Sequence, residues 1–102
     1  MTYTEIQPDD LRTRLGAGEE IFILDVREPD EVTEWAFPGA VNIPLGELLD
    51  RTGELPRGTP IVVTCHMGGR SAAATEALVS AGWSAENLAG GAVAWVASEP
   101  DA

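Results

Sequence analysis

Ile61-Val62-Val63-Thr64-Cys65-His66-Met67-Gly68-Gly69-Arg70-Ser71 is the stretch that decides the fold. Its first four residues are all β-branched, a run of strand length that suits a sheet covered on both faces. A thiol follows, then a glycine pair and an arginine. Next comes an alanine-rich segment, Ser71 to Ala81, which predicts a helix stopped by Gly82. Strand, glycine turn and helix together make an anion cradle. Glycines let consecutive backbone N–H groups point inward as a nest, and the helix start adds the positive end of its dipole. Arg70 adds a planar fork of donors. A thiol at the base of such a field is favoured as thiolate, the nucleophilic form. On strand position alone Cys65 would merely pack, as free cysteines often do. The glycines, the arginine and the helix start favour the reactive role.

Working outward, Ile21 to Val26 predicts a second continuous apolar strand, and Thr4-Glu5-Ile6 a short one ended by Pro8. Asp9 to Leu15 has helical spacing, with Leu11 and Leu15 on one face and Gly16 near the end. Pro29, Asp30, Glu31 and Glu34 suit the start of a helix reaching Trp35. Pro38-Gly39 marks a turn before a short strand, Ala40-Val41-Asn42. Pro44 opens a helical segment expected to place Leu45, Leu48 and Leu49 on one side. Gly53 to Pro60 reads as a turn-rich connection. Asn87-Leu88 predicts a final strand, and Gly90-Gly91 precedes a short helix through Trp95, with a polar tail beyond. Strands alternating with helices imply an α/β domain with a mostly parallel sheet. The length of 102 residues fits one domain, 1–102.

Charge narrows the function classes. Seventeen acidic residues face six basic ones, all arginine, for a net charge of −11. That argues against nucleic acid and anionic membranes as partners, and solubility is the plain reason for the acidity. It also opposes an anionic substrate, so any anion site must be built locally. One cysteine and one histidine leave no disulfide and make a protein-only metal site improbable. No apolar run approaches the roughly 20 residues of a membrane helix. The N-terminal residues lack a basic start and an apolar stretch, so no signal peptide is expected and the cytoplasm is the default compartment.

Four ordered blocks resemble the rhodanese family. Leu24-Asp25-Val26-Arg27-Glu28 looks like its first signature, and Phe37-Pro38-Gly39-Ala40-Val41-Asn42-Ile43-Pro44 like its second. Cys65 to Ser71 matches its active-site loop, and Gly90-Gly91-Ala92-Val93-Ala94-Trp95 its closing motif. Together they span nearly the whole chain. The resemblance implies a sheet of about five parallel strands with helices on both faces. It also implies a cofactor-free sulfurtransferase that carries sulfane sulfur as a persulfide on Cys65. The donor is expected to be a small anion such as thiosulfate, or a persulfide. The acceptor is expected to be a thiol or cyanide, with a protein as a further candidate for donor or acceptor. One departure stands out: Ala36-Phe37 precedes Pro38-Gly39, where many members carry histidine.

The expected substrate-binding set is His66, Met67, Gly68, Gly69, Arg70 and Ser71. Plain exposure is the commoner role for a loop histidine, and N-capping the better expectation for Ser71. Asp25 and Arg27 are expected, by resemblance, to form a structural pair near the sheet's end. Trp35, Trp83 and Trp95 are expected to pack. Three rivals remain: a persulfide carrier docking on one dedicated partner, a silent domain, and a phosphatase or arsenate reductase. Intact Cys65 and Arg70 speak against silence. Four residues separate Cys65 from Arg70, one fewer than in tyrosine phosphatases, and the shorter ring suits a single sulfur better than a phosphate.

Overall fold

The computed structural model describes residues 3–100. Met1, Thr2 and the last two residues of the expected tail lie outside them. Five parallel strands form one sheet: β1 (Thr4–Ile6), β2 (Phe22–Asp25), β3 (Val41–Asn42), β4 (Ile61–Thr64) and β5 (Ala85–Leu88). Their spatial order is β1-β5-β4-β2-β3, so β4 lies at the centre and Cys65 follows directly from it. Four α-helices accompany the sheet: α1 (Pro8–Gly16), α2 (Pro29–Glu34), α3 (Gly69–Ser80) and α4 (Gly91–Ala97). Two 3-10 helices, Leu45–Asp50 and Thr52–Glu54, occupy the connection before β4.

The strand period of two sorts the apolar residues into two cores. Leu24, Ile61, Val63 and Cys65 pack on one face with Leu48, Ala74 and Leu78. Ile23 and Val62 point the other way, towards Leu11, Phe37, Ala92 and Trp95. All four residues of β4 are buried, as a central strand covered on both faces requires. Trp95 packs against Phe37 with ring centroids 4.9 Å apart, and Trp35 meets the other side of Phe37 edge-on. Trp83 is covered by the Arg57 guanidinium at 3.5 Å. All three tryptophans thus pack, as expected.

Two expectations change. Leu49 does not share a face with Leu45 and Leu48: it is 72% exposed, whereas Leu48 is buried. The segment is a 3-10 helix, whose turn of three residues aligns Leu45 with Leu48 and swings Leu49 outward. The long helix begins at Gly69 rather than Ser71, because Gly68, at φ 106°, takes the left-handed position at its N-cap.

Asp25 and Arg27 form the expected pair. Arg27 Nε and Nη2 donate to Asp25 Oδ2 at 2.9 and 2.7 Å. Both side chains are almost fully buried. Arg27 Nη2 also donates to the Trp35 carbonyl at 2.7 Å, tying the end of α2 to the end of β2. Asn42 Nδ2 donates to the carbonyls of Asp25 and Arg27, adding β3 to the same node. Removing one partner of such a pair leaves the other charge buried and uncompensated. Arg27→Leu is therefore expected to cost about 3–5 kcal/mol. Urea unfolding monitored by tryptophan fluorescence reads this directly, and a loss below about 1 kcal/mol contradicts a structural role for the pair.

Candidate functional site

In parallel α/β sheets, sites form beyond the carboxyl ends of the strands. Cys65 stands there, at the end of the central strand and at the mouth of the turn into α3. Its Sγ accepts N–H bonds from Gly68 at 3.1 Å and Ser71 at 3.4 Å. The Ser71 hydroxyl lies 3.3 Å from the same sulfur. Burial, the largest influence, pushes the thiol up. The amides of Ser71, Gly68 and Arg70 oppose it, as does the Ser71 hydroxyl when its proton is turned to the sulfur, and the net direction is then down. The thiol is thus held below its ordinary range although Cys65 is only 1% exposed.

The loop also carries backbone carbonyls that need donors. The N-terminus of α4 receives two of these: Ala92 N–H donates to the Cys65 carbonyl at 2.8 Å and Val93 N–H to the His66 carbonyl at 3.0 Å. The Gly90-Gly91 pair permits this approach. A Cβ on Gly91 would lie 2.6 Å from the Cys65 carbonyl oxygen, and Gly91 has φ +61°. The sequence marked these glycines as a helix start and as the family's closing motif, and their duty toward the loop emerges from the fold.

The other expected site residues are placed as follows. His66 and Met67 are exposed at the loop's tip, Met67 at 69%. Gly68 and Gly69 form the turn. Ser71 is not the N-cap, which is Gly68, and makes no capping bond. It lies in the first turn of α3 and is fully buried, with its hydroxyl aimed at Cys65, the Gly68 carbonyl and Asn87. Arg70 keeps its charge near the sulfur, but its fork is occupied: Nη1 and Nη2 donate to the two Glu31 carboxylate oxygens at 2.6 and 2.9 Å. The Arg70 hydrogen bonds, followed by the Glu28 amide, hold the Glu31 carboxyl down at about 2. Glu31 therefore stays ionised at every pH where the thiol reacts. Sequence reasoning treated Glu31 only as part of a helix start, and missed Asn87, which meets the loop, and Glu5 behind it.

A cleft of about 460 Å³ opens beside the loop, lined by Trp35, Ala92, Val93 and Val96 with His66, Glu31 and Glu34. Cys65 does not line it; the cleft adjoins the loop that encloses the sulfur.

Residues 7–98 match the rhodanese-like domain family. The chain belongs to that family. It is 33% identical over 92 residues to a sulfurtransferase of Allochromatium vinosum, covering 89% of this chain and 86% of that one. Among solved structures, the rhodanese-related protein of Thermoplasma volcanium superposes with a TM-score of 0.87 at 34% identity, covering 96% of both chains. A thiosulfate sulfurtransferase from Pseudomonas aeruginosa matches with a TM-score of 0.84 at 31% identity. That match covers 94% of this chain but only 19% of the larger one. Family and relatives together support a sulfurtransferase built on the rhodanese fold. No helix among the described residues is long and apolar enough to cross a membrane.

Gly91→Ala tests the loop support. The strained φ and the clash with the Cys65 carbonyl are expected to cost about 2 kcal/mol or more. The thiol should also lose reactivity as the loop shifts. Urea unfolding and the rate of thiol alkylation near neutral pH measure the two effects, and an unchanged protein on both counts contradicts the close approach.

Proposed function

We propose that this protein moves sulfane sulfur through a persulfide on Cys65. The observation that carries the proposal is the convergence of the Gly68 and Ser71 amides on Cys65 Sγ at the end of the central strand. In the first half-reaction the Cys65 thiolate attacks the outer sulfur of a donor. The donor's S–S bond breaks, and sulfite or a thiolate leaves with the bonding pair. The same loop amides then face the persulfide's negative charge. In the second half-reaction a thiolate or cyanide attacks the terminal sulfur and the Cys65 thiolate is regenerated. No redox partner is consumed.

The geometry favours a persulfide donor over thiosulfate. Thiosulfate is a dianion meeting a chain of net charge −11. The one cation in the loop, Arg70, is already paired with Glu31. Arg70 serves as an anion clamp only by exchanging that carboxylate for the incoming anion. A second role, persulfide carriage for one protein partner, draws support from the cleft and from the exposed side chains of Val93 and Val96 that line it. A partner's sulfur-bearing segment would rest there while its sulfur reaches the loop.

Intact mass after mixing with a donor is expected to show one added sulfur atom on the wild type and none on Cys65→Ser. Substantial transfer by Cys65→Ser ends the proposal. Glu31→Gln is expected to release the Arg70 fork and raise kcat/KM for thiosulfate on the order of 3- to 10-fold, with a smaller effect on a neutral persulfide donor. Equal effects on both donors show that Arg70 tunes the thiol alone. Rapid loading from a protein persulfide with sluggish loading from thiosulfate selects the carrier role.

A further inference from the structure

Three atoms compete for one proton beside the sulfur. Ser71 Oγ lies 2.6 Å from Asn87 Oδ1, 3.2 Å from the Gly68 carbonyl and 3.3 Å from Cys65 Sγ. A hydroxyl can donate to only one of them at full strength. Asn87 Nδ2 in turn donates to Glu5 Oε2 at 2.9 Å and to the Gly68 carbonyl at 3.3 Å. Both of those partners accept only, so the amide nitrogen must face them and the amide oxygen must face Ser71. Parallel pairing of Glu5 with Asn87 places the carboxylate beside the amide. Cys65, Ser71 and Asn87 are each at most 1% exposed, so water offers no substitute partner.

We propose that Asn87, held in orientation by Glu5, sets the direction of the Ser71 hydroxyl and through it the ease with which Cys65 releases its proton. Both are positioning residues acting through Ser71, and the proposal rests on the Cys65 chemistry proposed above. With the Ser71 proton on Asn87, a lone pair of Ser71 faces the sulfur. That arrangement suits a thiol, which donates to Ser71. A thiolate needs the reverse: the Ser71 proton must turn to sulfur, which leaves the buried Asn87 oxygen without its shortest donor. An unsatisfied buried acceptor opposes that turn. Flipping the Asn87 amide would resolve the conflict, but it would set oxygen against the Glu5 carboxylate and the Gly68 carbonyl. Glu5 is the lock on the flip.

The charged groups around this chain of bonds lie on several elements. Arg70 of α3 is paired with Glu31 of α2, with Glu28 just before that helix. Asp25 and Arg27 form their own pair at the end of β2. Arg14 of α1 binds Glu86, the residue before Asn87 on β5. His66 stands in the loop. The variants below leave all of them in place.

Thiolate ultraviolet absorbance against pH, with Cys65→Ser as baseline, reads the one thiol of the chain. Glu5→Gln offers a donor to the oxygen of a flipped Asn87, leaving only the longer Gly68 contact opposed, and the midpoint should fall by about half to one pH unit. Removing a negative charge would lower it too, so the decisive arm is a cycle. In a Ser71→Ala background only that through-space part should remain, so the same Glu5→Gln change should lower the midpoint by clearly less. Asn87→Leu, which removes the competing oxygen, supplies a second such background if Ser71→Ala folds poorly. A fall of equal size in these backgrounds means that the carboxylate acts through space, and the proposal is overturned. It is overturned equally if Glu5→Gln shifts nothing. Sulfur loading by intact mass on the same samples reports separately on the persulfide chemistry, so failure of one does not masquerade as failure of the other.

Discussion

A buried loop that spends some of its N–H groups on a sulfur must still find donors for its own C=O groups. Much of the site follows from that constraint. The amides of Gly68 and Ser71 meet Cys65 Sγ. The carbonyls of Cys65 and His66 need donors in a buried setting, and the first amides of α4 provide them. The Gly68 carbonyl finds its partners in Asn87, Ser71 and the Ala72 amide. The glycine pair before α4 is thus as much a part of the sulfur site as the loop itself. It is what allows one backbone to approach another closely enough to close the account of hydrogen bonds.

Electrostatics follow the same local logic. Each of the six arginines is engaged by a carboxylate or an aromatic face: Arg14, Arg27, Arg51 and Arg70 in ion pairs, Arg12 and Arg57 stacked on Trp95 and Trp83. Among the described residues the arginines are thus dispersed over separate local contacts rather than gathered to draw anions from a distance. What attraction the site has comes from fixed dipoles a few ångströms from the sulfur, which salt screens poorly.

Features encoded by neighbours along the chain were legible in the sequence. The strands around Leu24 and Val63, the α1 and α2 starts, and the cysteine loop all rest on residues within one turn or one strand of each other. The order of blocks also implied the fold and the Asp25–Arg27 pair. What escaped has long sequence separation or depends on a choice between similar geometries. Arg70 meets a carboxylate 39 residues away, and Asn87 meets one 82 residues away. Neither pairing leaves a local signature. Ser71 looked like a cap because serine usually starts helices, but Gly68 took that position and freed the hydroxyl for the interior. Leu49 depended on whether one turn holds three residues or nearly four, a difference too small to see in a six-residue segment.

The alternation of β4 has a further consequence. Ile61, Val63 and Cys65 point to one core and Val62 to the other, so the thiol's address is a matter of parity. Slipping the strand by one residue would aim the sulfur at Trp95 and away from the amides of α3, with every hydrophobic contact inverted as well. Slipping it by two would restore the facing but shift the thiol along the strand. Over evolutionary time, insertions and deletions before the cysteine should therefore accumulate in the turns ahead of Ile61. The strand itself behaves as a fixed-length ruler whose count cannot drift.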